Sequence, residues 1–302
     1  MEGPREHLDP IVAAWAESVL GPVDVRSHFS HAHGNAELWR LESRGETVWL
    51  KMHARRDAWS AEVNALGAWG RHVGRTPLLV AVCQAPEAIL ITEAEGVAAK
   101  SLGWDGMATE RLWMEAGAWL SKLHQISNDW FGRVSEVGAQ FANADTEVVS
   151  YQQTHWERVL ADVSQSGLFD DADLKFAAGM AKRGLEALEG ERPCAVHGDF
   201  SPRNWFAHPS GELSGVIDFE HSHWGCRAFD LCFPYNRQFL RNPRLEPAFY
   251  QGYGAISAQL REQIAAFRAI LALRQATWAA MVGAYEFAQE NVEALRRQQR
   301  CV

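Results

Sequence analysis

The hydrophobic period of the chain changes near residue 97, and that change limits the folds open to it. Before it, short segments alternate apolar and polar residues as strands do. Val23-Asp24-Val25-Arg26-Ser27-His28-Phe29 alternates, Ser30-His31-Ala32-His33-Gly34-Asn35 reads as a turn, and 36–41 is strand-like. After a turn at Arg44-Gly45-Glu46 comes Thr47-Val48-Trp49-Leu50-Lys51-Met52, and 78–83 and 88–92 bring the strands to five. A helix precedes them over 7–20, where Leu8, Ile11, Val12, Trp15 and Val19 recur at helical spacing before Gly21-Pro22. Beyond residue 97 helices are predicted over 109–126, 146–163, 171–188, 243–250, 257–280 and 282–297. The expectation is an α+β protein. Residues 1–94 form a small part with a five-stranded antiparallel sheet plus helix, and residues 95–302 a larger, mainly helical part.

At 302 residues, 47% hydrophobic and 22% charged, the chain has enough apolar surface for one large or two moderate domains. Its net charge of -9 argues against a basic nucleic-acid-binding surface. The five cysteines are scattered and odd in number, as expected of reduced thiols. No segment approaches the roughly 20 apolar residues of a membrane helix, and the first residues carry no apolar signal core. These features predict a cytoplasmic protein with neither membrane nor nucleic-acid partner. Oligomeric state is not legible.

Two strand–loop segments interrupt the helical part: Val196-His197-Gly198-Asp199-Phe200-Ser201-Pro202-Arg203-Asn204-Trp205, then Gly215-Val216-Ile217-Asp218-Phe219-Glu220. They bring an aspartate, an amide and a second aspartate to two loops. Asp199 suits a base that activates a hydroxyl, and Asn204 and Asp218 suit the oxygen ligands of magnesium. Lys51 is anomalous among Val48, Trp49, Leu50 and Met52. It either lies on a solvent face or points inward and needs a carboxylate. Glu62, eleven residues on in a helical stretch from Trp59 to Trp69, is a candidate partner. Leu90-Ile91-Thr92-Glu93-Ala94-Glu95-Gly96 turns polar and ends on glycine. It suits either a hinge that hydrogen-bonds a flat heterocycle or an ordinary exit from a strand.

This order of strands, hinge, helices, His-Gly-Asp loop and Ile-Asp-Phe loop resembles the aminoglycoside phosphotransferase family, the small-molecule branch of the protein-kinase-like fold. The resemblance spans roughly residues 23–290. Its anchor is His197-Gly198-Asp199 with Asn204, a His-x-Asp-x4-Asn pattern, followed by Asp218 and Asp230. It implies a two-lobed fold, ATP or GTP with Mg2+ as cofactors, and a small-molecule hydroxyl acceptor. It also implies roles. Asp199 is catalytic, Asn204 and Asp218 hold the metal, Lys51 pairs with the phosphates, and Glu62 holds Lys51. The Thr92 carbonyl and Ala94 N–H meet the purine edge with Ile91 behind it. His197 anchors the loop, and Asp230 braces it or caps a helix.

An antibiotic acceptor (aminoglycoside or nucleoside-type) is the first expectation, in resistance or self-protection. The alternative is a metabolic kinase for choline, homoserine or a sugar. A catalytically silent nucleotide-binding protein is a third reading, against which the intact Lys51, Glu62, Asp199, Asn204 and Asp218 argue. The loop over the phosphates, residues 30–35, carries one glycine and two histidines, and His28, His31 and His33 lack a standard zinc spacing. Arg203, His221, His223, Trp205 and Trp224 lie beside the catalytic loops with roles the sequence leaves open. The acidic run Asp170-Asp171-Asp173 reads equally as a helix cap or a seat for a cationic amine.

Overall fold

A computed structural model describes residues 8–30, 36–102, 106–133, 147–164 and 166–301. In chain order, α1 (Pro10–Leu20) leads into strands β1 (Asp24–Ser30), β2 (Ala36–Ser43) and β3 (Glu46–His53). Helices α2 (Arg56–Asn64) and α3 (Gly70–Val73) follow, then β4 (Leu79–Gln84), β5 (Glu87–Thr92) and β6 (Val97–Ala98). Next come α4 (Met107–Leu123), α5 (Val148–Ser164), α6 (Asp171–Ala187), β7 (Cys194–Val196), β8 (Trp205–Ala207), β9 (Leu213–Val216) and β10 (His223–Gly225). Helices α7 (Ala228–Cys232), α8 (Gln238–Arg241), α9 (Leu245–Tyr253), α10 (Ala258–Met281) and α11 (Tyr285–Arg300) complete the chain.

The chain divides into two compact units. The first holds the described residues of 1–103, Arg133 and the segment Pro202–Ser222. The second holds those of 104–132, 143–201 and 223–302. The His-Gly-Asp motif thus belongs to the second unit, whereas Asn204 and Asp218 belong to the first.

In the first unit the five expected strands form one antiparallel sheet in the order β1-β2-β3-β5-β4. Side chains alternate across a strand, so Trp39, Leu41, Val48 and Leu50 face one way and pack with Leu90 against Val12 and Ala16 of α1. Asp9 starts α1 by accepting from Ile11 N (2.8 Å). On the other face lies α2, whose Trp59 indole N–H donates to Ala88 O (3.2 Å). The helix predicted from Trp59 to Trp69 begins earlier, at Arg56, and passes through a π-helical turn over Ala65–Trp69 into α3. A separate sheet, β6-β8-β9, completes the unit.

In the second unit, β7 pairs antiparallel with β10 and the helices pack around α10, which is buried along much of its length. Helix α6 opens with a capping box in which Asp170 accepts from Asp173 N (2.9 Å), and Asp173 is also gripped by Arg296 (2.8 Å). The acidic run therefore serves as a cap and a helix-to-helix tie. Helices α4 and α9 approach closely: a Cβ on Gly252 would fall 1.7 Å from Met114 O, a space only glycine leaves open. Among the described residues no helix is long and apolar enough to cross a membrane.

Candidate active site

Strand period settles the direction of Lys51. Because Leu50 faces the α1 side, Lys51 and His53 project side by side from the opposite face, toward α2. Lys51 is 4% exposed, so the solvent-facing alternative is excluded. Its Nζ lies 2.6 Å from Glu62 Oε2, 2.6 Å from Asp218 Oδ1 and 3.8 Å from Glu220 Oε2. Burial alone pushes an ammonium pKa down, but the carboxylates of Asp218, Glu62 and Glu220 outweigh it and hold Lys51 well above its ordinary value. Burial pushes the Glu62 carboxyl up, whereas Lys51 and His53 draw it down, to about 2. The pair is ionised at neutral pH.

The β8–β9 hairpin presents the next two groups. Asn204 immediately precedes β8 and Asp218 lies just beyond β9. Antiparallel pairing of Trp205 with Val216, with Ile217 N donating to Asn204 O (2.9 Å), puts both at one end of the hairpin. Asp218 has φ 70°, a left-handed conformation that non-glycine residues seldom adopt and that gathers at functional sites. Its side chain is about one-third exposed, whereas Asn204 is buried. The Lys51 ammonium is shared among the carboxylates of Glu62, Asp218 and Glu220, with His53 beside Glu62 (2.7 Å) and His221 beside Glu220 (3.4 Å). Among the described residues no cluster of three or more His, Cys, Asp or Glu forms a closed metal cage. Asp218 and Asn204 bring a carboxylate and an amide oxygen, hard donors of the kind magnesium takes.

In the second unit, β7 leads into the His-Gly-Asp loop. Asp230, in α7 and fully buried, accepts from the backbone N–H groups of His197 (2.7 Å) and Gly198 (2.9 Å). His124 Nε2 lies 3.3 Å from Asp230 Oδ2 and its Nδ1 2.9 Å from the Tyr253 hydroxyl. A carboxylate has no proton to give, so the ring donates through Nε2 to Asp230. Burial by itself raises the Asp230 carboxyl, but the hydrogen bond from His124, then the charges nearby and the His197 N–H, lower it on balance. Gly198 has φ 84°, the conformation in which its N–H reaches Asp230. His197 is wholly buried, with Nδ1 3.3 Å from Asp199 N and its ring edge-on to Phe200. Asp199 itself is half-buried.

At the end of β5, Ile91 is buried, and Thr92 and, just beyond the strand, Ala94 are half-buried. Thr92 is tied to Leu78, the residue before β4, by two bonds, Thr92 N to Leu78 O (3.0 Å) and Leu78 N to Thr92 Oγ1 (2.9 Å). Glu93 turns back to Arg40 (3.1 Å) and Trp49 (3.3 Å), and Ser214 Oγ donates to Glu95 O. Trp205 is a fully buried core residue, whereas Trp224 is partly exposed and meets Trp130 edge-on. Arg203 is exposed, His221 lies 3.4 Å from Glu220, and His223 packs edge-on against Phe229. His28 stacks on Trp39, and residues 31–35 of the expected phosphate loop lie outside the described residues.

Three participants were not foreseen. His53 and Glu220 each stand two residues after a singled-out residue, and the period-2 rule could have found His53. His124, just past α4, carries no local signal. Its partners, Asp230 and Tyr253, are 106 and 129 residues away.

No curated protein matches the chain by sequence. Among solved structures, a thermostable mutant of aminoglycoside phosphotransferase APH(4)-Ia, in ternary complex with AMP-PNP and hygromycin B, superposes with a TM-score of 0.67 at 14% identity. It covers 96% of this chain and 98% of its own. The GDP and kanamycin complex of APH(2")-IIia gives 0.68 at 12% identity, covering 97% and 99%. A Thermobifida fusca YX-ER1 protein described as a fructosamine-3-kinase gives 0.68 at 17% identity, covering 96% and 98%. These likenesses establish a shared protein-kinase-like fold. The sequence pattern of the Phosphotransferase enzyme family matches residues 29–270, so the chain belongs to that family and is a phosphoryl-transferring enzyme.

Proposed function

We propose that the protein transfers the γ-phosphate of ATP or GTP to a hydroxyl of a small polar molecule, with Asp199 as the catalytic residue. The observation that carries this reading is the buried Lys51, held within 2.6 Å of both Glu62 and Asp218. A lysine so placed is poised to pair with nucleotide phosphates once they compete for it. Residues 1–94 would seat the nucleotide, its purine edge on Thr92 and Ala94 with Ile91 behind, and residues 95–302 would supply the catalytic loop and the acceptor site. Asn204 and Asp218 would hold magnesium, which when bound neutralises phosphate charge. Asp199 accepts the acceptor's hydroxyl proton as its oxygen bonds to the γ-phosphorus and the β–γ bridging bond breaks. His197 and Asp230 hold the backbone from which Asp199 projects.

For the acceptor we favour an antibiotic. The support is the likeness to complexes containing hygromycin B and kanamycin, and a net charge of -9 that favours cationic ligands. A metabolic acceptor is the second reading, favoured by the equally good superposition on the protein described as a fructosamine-3-kinase. Incubation with γ-labelled ATP and GTP against a panel of aminoglycosides, nucleoside antibiotics, choline, homoserine and sugar amines separates them. Asp199→Asn is expected to lose transfer about a thousandfold or more while still binding nucleotide. Wild-type turnover in that variant would refute the role given to Asp199.

A further inference from the structure

We propose that His53 is a positioning residue for nucleotide binding. It holds the Glu62 carboxylate in the orientation that keeps Lys51 anchored when Lys51 exchanges Asp218 for phosphate. The inference rests on the reading of Lys51 as the phosphate-pairing residue.

Lys51 and His53 leave the same face of β3 two residues apart, and both converge on one oxygen. Glu62 Oε2 lies 2.6 Å from Lys51 Nζ and 2.7 Å from His53 Nε2. The His53 side chain is completely buried, and its Nδ1 has no hydrogen-bond partner. Glu62 as a carboxylate can only accept, so the ring donates through Nε2–H while Nδ1 stays without a partner. A residue present only to fill this space would be apolar, since a buried nitrogen without a partner costs stability. The histidine therefore contributes through its other nitrogen, in a charge-assisted bond to Glu62.

That bond matters because Lys51 is shared. It bridges Glu62 and Asp218 at equal distance, with Glu220 further off at 3.8 Å. A nucleotide draws Lys51 toward phosphate and frees Asp218, and the contact to Glu62 is then the one that keeps the ammonium in place. Two donors on Oε2 fix the rotation of the carboxylate. With His53 removed, Glu62 is held by Lys51 alone and turns with it. Sequence spacing singles out the lysine and glutamate, but the second donor appears only when strand and helix are packed.

The test is calorimetric titration of the full chain with magnesium and the non-hydrolysable analogues AMP-PNP and GMP-PNP. The variants are His53→Met, His53→Gln and Lys51→Met. Methionine and glutamine both reach the position of Nε2, and only glutamine donates there. Lys51→Met and His53→Met are each expected to weaken binding about tenfold or more at unchanged stoichiometry, with His53→Gln within about threefold of wild type. A merely structural role would reduce the stoichiometry, the fraction of folded protein, and leave the dissociation constant alone. That result overturns the proposal, as does His53→Gln binding no better than His53→Met. If Lys51→Met binds like wild type, the reading of Lys51 itself fails and the proposal falls with it, an outcome distinct from failure of the His53 variants alone. Should His53→Met not fold, His53→Asn, too short to donate at Nε2, takes its place with the same expectation.

Discussion

Replacing Asp230 by asparagine changes no volume, and the structure says what it removes. The carboxylate accepts from His197 N–H at 2.7 Å, from Gly198 N–H at 2.9 Å and from His124 at 3.3 Å, in a wholly buried position. An asparagine has one acceptor oxygen, so whichever way the amide turns its NH2 faces a donor and leaves at least one buried N–H unpaired. Hydrogen bonds to a charged acceptor contribute about 1.5–3 kcal/mol each, and an unsatisfied buried donor costs about 1–3 kcal/mol. A local loss of about 3 kcal/mol is expected at the His-Gly-Asp loop, which is roughly a hundredfold in an opening equilibrium. Amide hydrogen exchange resolved at His197 and Gly198 measures it, with the β1–β5 sheet as internal reference. The sign with pH follows from the lowered carboxyl. Ionised Asp230 contributes its full stability above the ordinary value of 3.8, and that contribution is lost as pH falls through the lower folded value. The gap between wild type and Asp230→Asn is therefore open at neutral pH and closes in strong acid. Wild-type exchange at both amides in the variant at pH 7 would refute the reasoning.

The Lys51–Glu62 pair makes a second pH prediction. Glu62 is held at about 2 against an ordinary 4.5, so its contribution is present above 4.5 and lost as pH falls toward 2. Lys51→Met leaves buried Glu62 without its main counter-charge, and acid unfolding followed by circular dichroism should begin at higher pH; an unchanged midpoint would count against the pair. Gly252→Ala should destabilise by about 2–4 kcal/mol, because its methyl meets Met114 O at 1.7 Å. Gly179→Ala, with nothing within 4 Å of the new methyl, should instead gain up to about 1 kcal/mol. Thermal melts of the two variants should move in opposite directions, and a shared direction would show that the close helix approach is not what glycine protects.

Much of the fold was legible because it is local. Alternation over 23–29 and short apolar runs at 78–83 and 88–92, set between turns, marked strands of the five-stranded sheet. Asp170 and Asp173 announced a helix start because a capping box spans three residues. The spacing of His197, Asp199, Asn204 and Asp218 was likewise readable along the chain. What the linear order left open was every feature that depends on a distant partner. Lys51 read equally as exposed or buried until α2 covered its face of the sheet. His53, Glu220 and His124 had no role until packing supplied a carboxylate, an ammonium and a buried aspartate. Division of the His-Gly-Asp-x4-Asn motif between the two compact units, after Ser201, also has no signature in residue type. Periodicity and capping are fixed by neighbours a few residues apart, whereas the charge on Lys51 is held by Asp218, 167 residues along the chain. Only the folded backbone brings those two within 2.6 Å.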